Sequence, residues 1–288
     1  MRAARSLCTA ALLLAGLAGM ATPSRAVDVF FNTSDGVRLH LIVAGPTQAQ
    51  TIVFVPGWTM PAWIFQAQID AFSRRYHIVA LDPRGQGDSE VAATGYDQTR
   101  RGQDIGDLIA LFGQRPVLLV GWSLGVLDCL AYVHQYGDRA LAGLVMIDNS
   151  IGEDPPPVPS RGPIIRGPRL AREEQMRRFV RGMFRSSPGE DYLERLTETA
   201  LRTPPFASSQ LLSYPVPRSY WLDAVLSLRK PVLYVVRPRF AAQAGNLELH
   251  QPMAETALFE SAGHALFVDE PGRFNSLLQD FIRRRVWP

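Results

Sequence analysis

A chain of 288 residues, 47% of them hydrophobic and 20% charged, has the composition of a globular protein and the length for one large core with an inserted subdomain. Three of the cationic residues behind the formal charge of +3 (Arg2, Arg5 and Arg25) lie in the first 26 residues, which hold no acid. Without that stretch the formal charge is zero, so the basic balance gives no argument for a nucleic-acid partner.

The chain opens with basic "MRAARS", then apolar "LCTAALLLAGLAGMA", too short to span a bilayer comfortably, then Ser24 and Ala26 at an A-x-A-like site. This pattern predicts a secretory signal peptide over 1–26, hence a periplasmic or secreted mature chain, with an uncleaved anchor as the alternative. Cys129 is then the single mature cysteine, which excludes an intramolecular disulfide. "DVFFNTSDGVRLHLIVAG" predicts two strands about a turn at Asp35-Gly36. "TIVFVPG" (51–57), "HIVALD" (77–82), "RPVLLVGWS" (115–123) and "LAGLVMID" (141–148) are continuous apolar runs, the mark of strands buried on both faces. The segments between them have helical spacing, so the rhythm is β-α-β with a mostly parallel sheet. A proline-rich stretch, "GEDPPPVPSRGPIIRGPR", breaks that rhythm, and helices follow to about residue 228. "KPVLYVV", "ETALFESAG" and "EPGRFNSLLQDFIRRR" then resume it. The predicted organisation is a core over 27–150 and 223–288, with a helical cap, 151–222, roofing the crevice at the carboxyl ends of the strands.

"GWSLG" (121–125) holds the main chemical signal. A strand-to-helix turn tight enough to lift Ser123 above the sheet is crowded on both flanks, and residues without a Cβ fit there. A serine hydroxyl at its free pKa is a poor nucleophile and needs a base within hydrogen-bond reach. Of the five histidines, His40 lies within a strand, His77 opens one, His134 sits well along a helix, and His250 falls in a loop after "PVLYVV". His264 follows a strand, is released by Gly263 and lies near the C-terminus, which makes it the expected base, with His250 its main competitor.

With these motifs the chain resembles the α/β-hydrolase superfamily over nearly all of its mature length. "VPGW" (55–58) is similar to the family's oxyanion loop, with Pro56 where histidine is usual; "LDPRGQGDS" (81–89) resembles a turn of its esterase, haloperoxidase and lactonase branches. "GWSLG" resembles the nucleophile elbow and "SAGHALFVDEP" (261–271) the segment with the catalytic histidine. The resemblance implies an α/β-hydrolase fold with helices on both faces of the sheet. It implies Ser123 as nucleophile, His264 as base, and the backbone N–H groups of Trp58 and Leu124 as the oxyanion hole.

The acid is less plain. The family usually places an aspartate just after the strand equivalent to "PVLYVV", but here that stretch reads "RPRFAAQAGNLELH", and its first acid is Glu248. Some branches place the acid at the end of the preceding strand, where this chain has Asp148. Asp148 is the expected acid and Glu248 the alternative. Asp82 and Asp88 are expected to stabilise the Gly-rich turn, and Asp104 and Asp107 to have no chemical role.

In the cap, Met176, Phe179, Val180, Met183 and Phe184 recur as one helical stripe, beside eight arginines between 161 and 185 set against Glu173 and Glu174. This predicts a lid helix with a solvated basic face; attraction of anionic substrates or an anionic membrane surface is the sharper alternative. Trp58, Trp63, Trp122 and Trp221 are candidate pocket walls. No Cys/His metal spacing, P-loop or nucleotide fingerprint is present, so no metal and no cofactor is expected. The expected activity is hydrolysis of a small-molecule carboxylic ester through an acyl-enzyme. A cofactor-free haloperoxidase or perhydrolase, an acyltransferase or lactonase, and a non-catalytic ligand-binding protein stay open.

Overall fold

The computed structural model describes residues 26–153 and 170–288. The expected signal peptide, apart from Ala26, and residues 154–169 of the proline-rich stretch lie outside the described residues. Among the described residues no helix is long and apolar enough to cross a membrane.

Two strands, β1 (Val27–Asn32) and β2 (Arg38–Ala44), form the expected hairpin. The apolar runs become β3 (Thr51–Val55), β4 (His77–Asp82), β5 (Val117–Trp122), β6 (Leu141–Ile147) and β7 (Val232–Val236), and β8 (Ala254–Leu258) closes the sheet. Every residue of β3, β4, β5 and β7 is buried, which is why their sequences show no alternation. Among the described residues, eight strands form one sheet in the order β1-β2-β4-β3-β5-β6-β7-β8. β2 runs antiparallel to β1 and β4, and the other pairs are parallel.

Two apolar layers cover the sheet. One face packs against α2 (Gln98–Ala110), α3 (Leu124–Tyr136), α7 (Ser219–Ser227) and α8 (Ala241–His250). The other packs against α1 (Gln66–Phe72), α4 (Arg172–Gly182), α5 (Glu190–Leu201) and α10 (Pro271–Phe281). Two short helices, α6 (Pro205–Gln210) and α9 (Leu266–Asp269), complete the set. Residue 222 falls inside α7, whose Trp221, Ala224 and Val225 share the layer of α3. Each fully buried Leu, Ile, Val or Phe in these layers contributes about 1.5–3 kcal/mol.

One expectation about the chain after β7 is corrected. Residues 237–249 are not a loop: Pro238–Phe240 make a 3-10 turn and α8 follows directly, so His250 ends a helix. The Ala, Gln and Leu content of "AAQAGNLEL" suits a helix, and Leu247 and Ala244 give it an inward face.

Polar anchors hold the turns at the carboxyl edge. Asp82 accepts from Ala62 N–H at 2.5 Å, Asp88 N–H at 2.8 Å and the His40 ring at 2.7 Å, and so fixes the Gly-rich turn as expected. The Asp88 carboxylate instead pairs with Arg202, across to the cap helices. Arg84, fully buried, donates to both oxygens of Asp104 at 2.6 and 2.7 Å, tying that turn to α2. Between α2 and α3, Arg101 and Asp128 form a buried ion pair at 2.9 Å, yet burial still pushes the Asp128 carboxyl up to about 6.

Candidate active site

Three neighbouring strands each end one residue before a polar side chain. Ser123 follows β5, Asp148 follows β6 and Arg237 follows β7. The ladders continue just far enough to fix them: Ser123 N–H donates to Ile147 O at 2.9 Å, and Asp148 N–H to Val235 O at 2.8 Å. His264 comes from the segment after β8.

Ser123 adopts φ 54 and ψ −120, a left-handed conformation that a side chain takes only when its surroundings enforce it. The flanking glycines supply that room. A Cβ at Gly125 would lie 2.3 Å from Val55 O and 2.7 Å from Pro56 O, and one at Gly121 would lie 2.5 Å from Gly125 O. Gly125→Ala should therefore force β3 and α3 apart and destabilise the fold by about 1–3 kcal/mol. A thermal melt equal to wild type would refute this reading of the packing.

The hydroxyl, imidazole and carboxylate are in line. Ser123 Oγ is 2.8 Å from His264 Nε2, and His264 Nδ1 is 2.6 Å from Asp148 Oδ2. Asp148 is buried and ionised: burial pushes its carboxyl up, but the hydrogen bond and charge of His264, and then Arg237, hold it below its ordinary value. A carboxylate there makes Nδ1 the protonated nitrogen, which leaves Nε2 to accept the serine proton. Asp148, like Ser123, has positive φ, at 49°. The histidine segment is pinned from below by Trp122, whose indole N–H donates to His264 O at 2.9 Å. It is pinned from the side by Asp269, which accepts from Gly263 N–H at 2.6 Å and Arg185 N–H at 2.8 Å.

Gly57 brings the loop after β3 against the hydroxyl, since a Cβ there would sit 2.9 Å from Ser123 Cβ and 3.4 Å from Oγ. The next residue is Trp58, and the first residue of α3 is Leu124, so both expected N–H groups border the serine. Among the described residues, no backbone or side-chain acceptor takes the N–H of either. The N-terminus of a 13-residue helix adds its positive field at that point.

Gln86, which sequence reasoning passed over, holds this loop. It is buried, its Oε1 accepts from Thr59 N–H at 2.5 Å, and its Nε2 donates to Gly57 O at 3.3 Å. Asn149 likewise steadies the elbow, donating to Ser123 O at 2.7 Å. Neither has a sequence signal beyond its neighbours, although the arginines after β7 were visible as a departure from pattern.

Glu248, the alternative acid, is not at the site. It lies on α8, where Oε1 accepts from Thr256 N–H at 2.8 Å and its hydroxyl at 2.9 Å. His250 bonds back to Asn246 O within the same helix.

Of the four tryptophans expected as pocket walls, Trp58 lines an open cavity. A space of about 600 Å³ is bordered by Trp58, Leu170, Met176, Phe179, Pro205 and Ser208. Trp58 donates from its indole to Ser208 O at 2.7 Å and meets Phe179 edge-on at 5.1 Å. Trp122 is buried beneath His264, Trp63 packs on Tyr192 and under Arg195, and Trp221 packs on Tyr214 and Tyr220. The stripe on α4 buries Met176, Val180 and Met183, while Phe179 stays part-exposed at the cavity. Its arginines are largely matched: Arg177 reaches Glu173 and Glu174, Arg178 reaches Glu174, and Arg181 reaches Glu190. Arg161, Arg166 and Arg169 lie outside the described residues.

His40, Asp82 and Asp88 bring ligand-type atoms within 4.8 Å of one another. The Asp82 oxygens already accept the donors named above, so the cluster works as an anchor for the turn.

The sequence pattern of the alpha/beta hydrolase family matches residues 52–277. Among characterised relatives, a soluble epoxide hydrolase from Corynebacterium sp. (strain C12) is 28% identical over 113 residues, 39% of this chain and 38% of that protein. A non-heme chloroperoxidase from Streptomyces lividans is 29% identical over 116 residues, 40% of this chain and 42% of that protein. The chain thus spans well under two thirds of the length of these two relatives. A solved structure of a candidate aryl esterase from Burkholderia cenocepacia superposes with a TM-score of 0.77 at 25% identity, covering 89% of this chain and 98% of that one. From β3 to α10, in pattern and in architecture, the chain belongs to the alpha/beta hydrolase family.

Proposed function

We propose that the protein is an exported serine hydrolase that cleaves carboxylic esters through an acyl-enzyme. The observation that carries this reading is the hydrogen-bonded line from Ser123 Oγ through His264 to Asp148, at 2.8 and 2.6 Å, on the ends of adjacent strands. Ser123 Oγ attacks the ester carbonyl while its proton passes to His264 Nε2. The Trp58 and Leu124 N–H groups receive the oxyanion, each such donor being worth about 10²–10³ in rate. The imidazolium returns its proton to the departing alkoxide, which leaves the acyl group on Ser123. Water, deprotonated by the same imidazole, then releases the acid.

The cavity beside Trp58 supports an acyl or alcohol group with an apolar body, since Met176, Phe179 and Pro205 border it beside the polar Arg172 and Gln175. The likeness to an esterase fold and to a chloroperoxidase fits hydrolysis, with peroxide in place of water as the second reading.

The test uses residues 27–288 with p-nitrophenyl esters from acetate to octanoate, beside fluorophosphonate labelling. A burst, steady turnover and a labelled Ser123 are expected, with kcat/KM rising beyond acetate as the acyl chain fills the cavity. No turnover on any ester together with an unlabelled Ser123 would overturn the reading. Halogenation of monochlorodimedone with peroxide and bromide, at a rate above ester hydrolysis, would favour the second.

A further inference from the structure

Arg237 stands at the end of β7, where the family pattern led to an expected acid, and it grips the acid that β6 supplies instead. Its backbone N–H donates to Asp148 Oδ1 at 3.0 Å, and its side-chain Nε donates to Oδ2 at 2.6 Å. Oδ2 is the same oxygen that takes His264 Nδ1 at 2.6 Å. Nη2 of Arg237 lies 3.5 Å from that Nδ1. The arginine side chain is 28% exposed and the Asp148 side chain fully buried, so the guanidinium covers the carboxylate from the crevice side.

Two donors on two oxygens fix the plane of the carboxylate, and so the direction in which it presents Oδ2 to the imidazole. Held by the His264 bond alone, the carboxylate could turn about its broad terminal torsion and carry Oδ2 off the line to Nδ1.

We propose that Arg237 is a positioning residue that clamps Asp148 in the plane that presents Oδ2 to His264 Nδ1. The inference rests on the reading of Ser123 as nucleophile and His264 as base. Asp269 and Trp122 hold the histidine segment through its backbone, at Gly263 N–H and at His264 O. The Tyr234 hydroxyl, beneath Asp148, donates to Asn149 O at 2.6 Å.

Two variants test the clamp, because the backbone N–H on Oδ1 survives both. Arg237→Lys keeps a cation without the planar fork, and Arg237→Gln keeps a side-chain donor without the cation. The measurements are kcat and KM for p-nitrophenyl butyrate and the downfield NMR resonance of the His264 Nδ1 proton, which reports its bond to Asp148. Both variants should lower kcat by about tenfold and leave KM within about twofold. In both, the Nδ1 proton resonance should move upfield or broaden. A kcat and a proton resonance unchanged in both variants, with only the melting temperature lowered, would reduce Arg237 to a structural residue and overturn the proposal. An inactive, unlabelled wild type would instead overturn the hydrolase reading, and the Nδ1 proton resonance would still decide whether Arg237 positions Asp148.

Discussion

Ser123→Ala should abolish ester turnover, lowering kcat by on the order of 10⁵–10⁶, and should remove fluorophosphonate labelling while leaving the protein folded. The size of the effect follows from there being one hydroxyl in line with His264 Nε2, at 2.8 Å. The retained fold follows from what else holds residue 123. Its N–H donates to Ile147 O, and its carbonyl accepts from Val126 N–H at 3.0 Å and Asn149 Nδ2 at 2.7 Å. None of these uses the side chain. Alanine keeps the strained φ of 54° and loses only the hydroxyl's bond to His264, so the melting temperature should stay close to wild type or rise slightly, as is common at functional sites. Residual turnover above a thousandth of wild type, with the variant verified by mass, would mean that another group attacks the ester. The burst would then have to be traced to that group.

The sheet was legible because its central strands are buried on both faces and so read as unbroken apolar runs bounded by Pro-Gly, Asp-Pro and Gly-x-Ser. The site was legible to the extent that its chemistry imposes a backbone. Ser123 needs glycine at 125 because Val55 O and Pro56 O lie where a Cβ would be, and at 121 because Gly125 O does, and that need leaves a mark in the sequence. Asp148 leaves no such mark. Its fitness depends on β6 lying between β5 and β7, which brings three strand ends together, and strand order is a property of the whole fold. The stretch 237–249 looked like a loop that had lost its acid. In the structure it is a turn that delivers Arg237 to Asp148, followed by a helix that carries Glu248 to the outer edge. Tryptophans gave no direction from composition alone: three of the four candidate pocket walls are packing residues, and Trp58 meets the cavity because Ser208 O captures its indole. Gln86 was invisible for a similar reason. Its bonds to the loop after β3 depend on how close the Gly-rich turn comes to that loop.

Asp148→Asn gives the second large effect, and Arg237 makes it sharper than the loss of a charge. The carboxylate accepts from three donors on two oxygens: Arg237 N–H on Oδ1, and Arg237 Nε and His264 Nδ1 on Oδ2. An amide has one acceptor end. With its NH₂ toward Oδ1, it opposes the Arg237 backbone N–H and leaves two donors facing without an acceptor. With its NH₂ toward Oδ2, it opposes Nε and forces the imidazole to accept at Nδ1, which places the ring proton on Nε2, facing Ser123 Oγ. In that tautomer His264 cannot take the serine proton, and kcat should fall by about 10⁴. In the first orientation the tautomer survives, and the cost appears as an unpaired buried N–H of about 1–3 kcal/mol in stability. The variant should therefore lose both activity and stability, in a ratio that reports the orientation chosen. Glu248→Gln is the contrast: its carboxylate binds Thr256 on the far side of α8, so kcat should stay within about twofold of wild type, as for a surface substitution. Near-normal turnover in Asp148→Asn, with loss in Glu248→Gln, would mean that His264 takes its orientation from elsewhere than the strand ends described here.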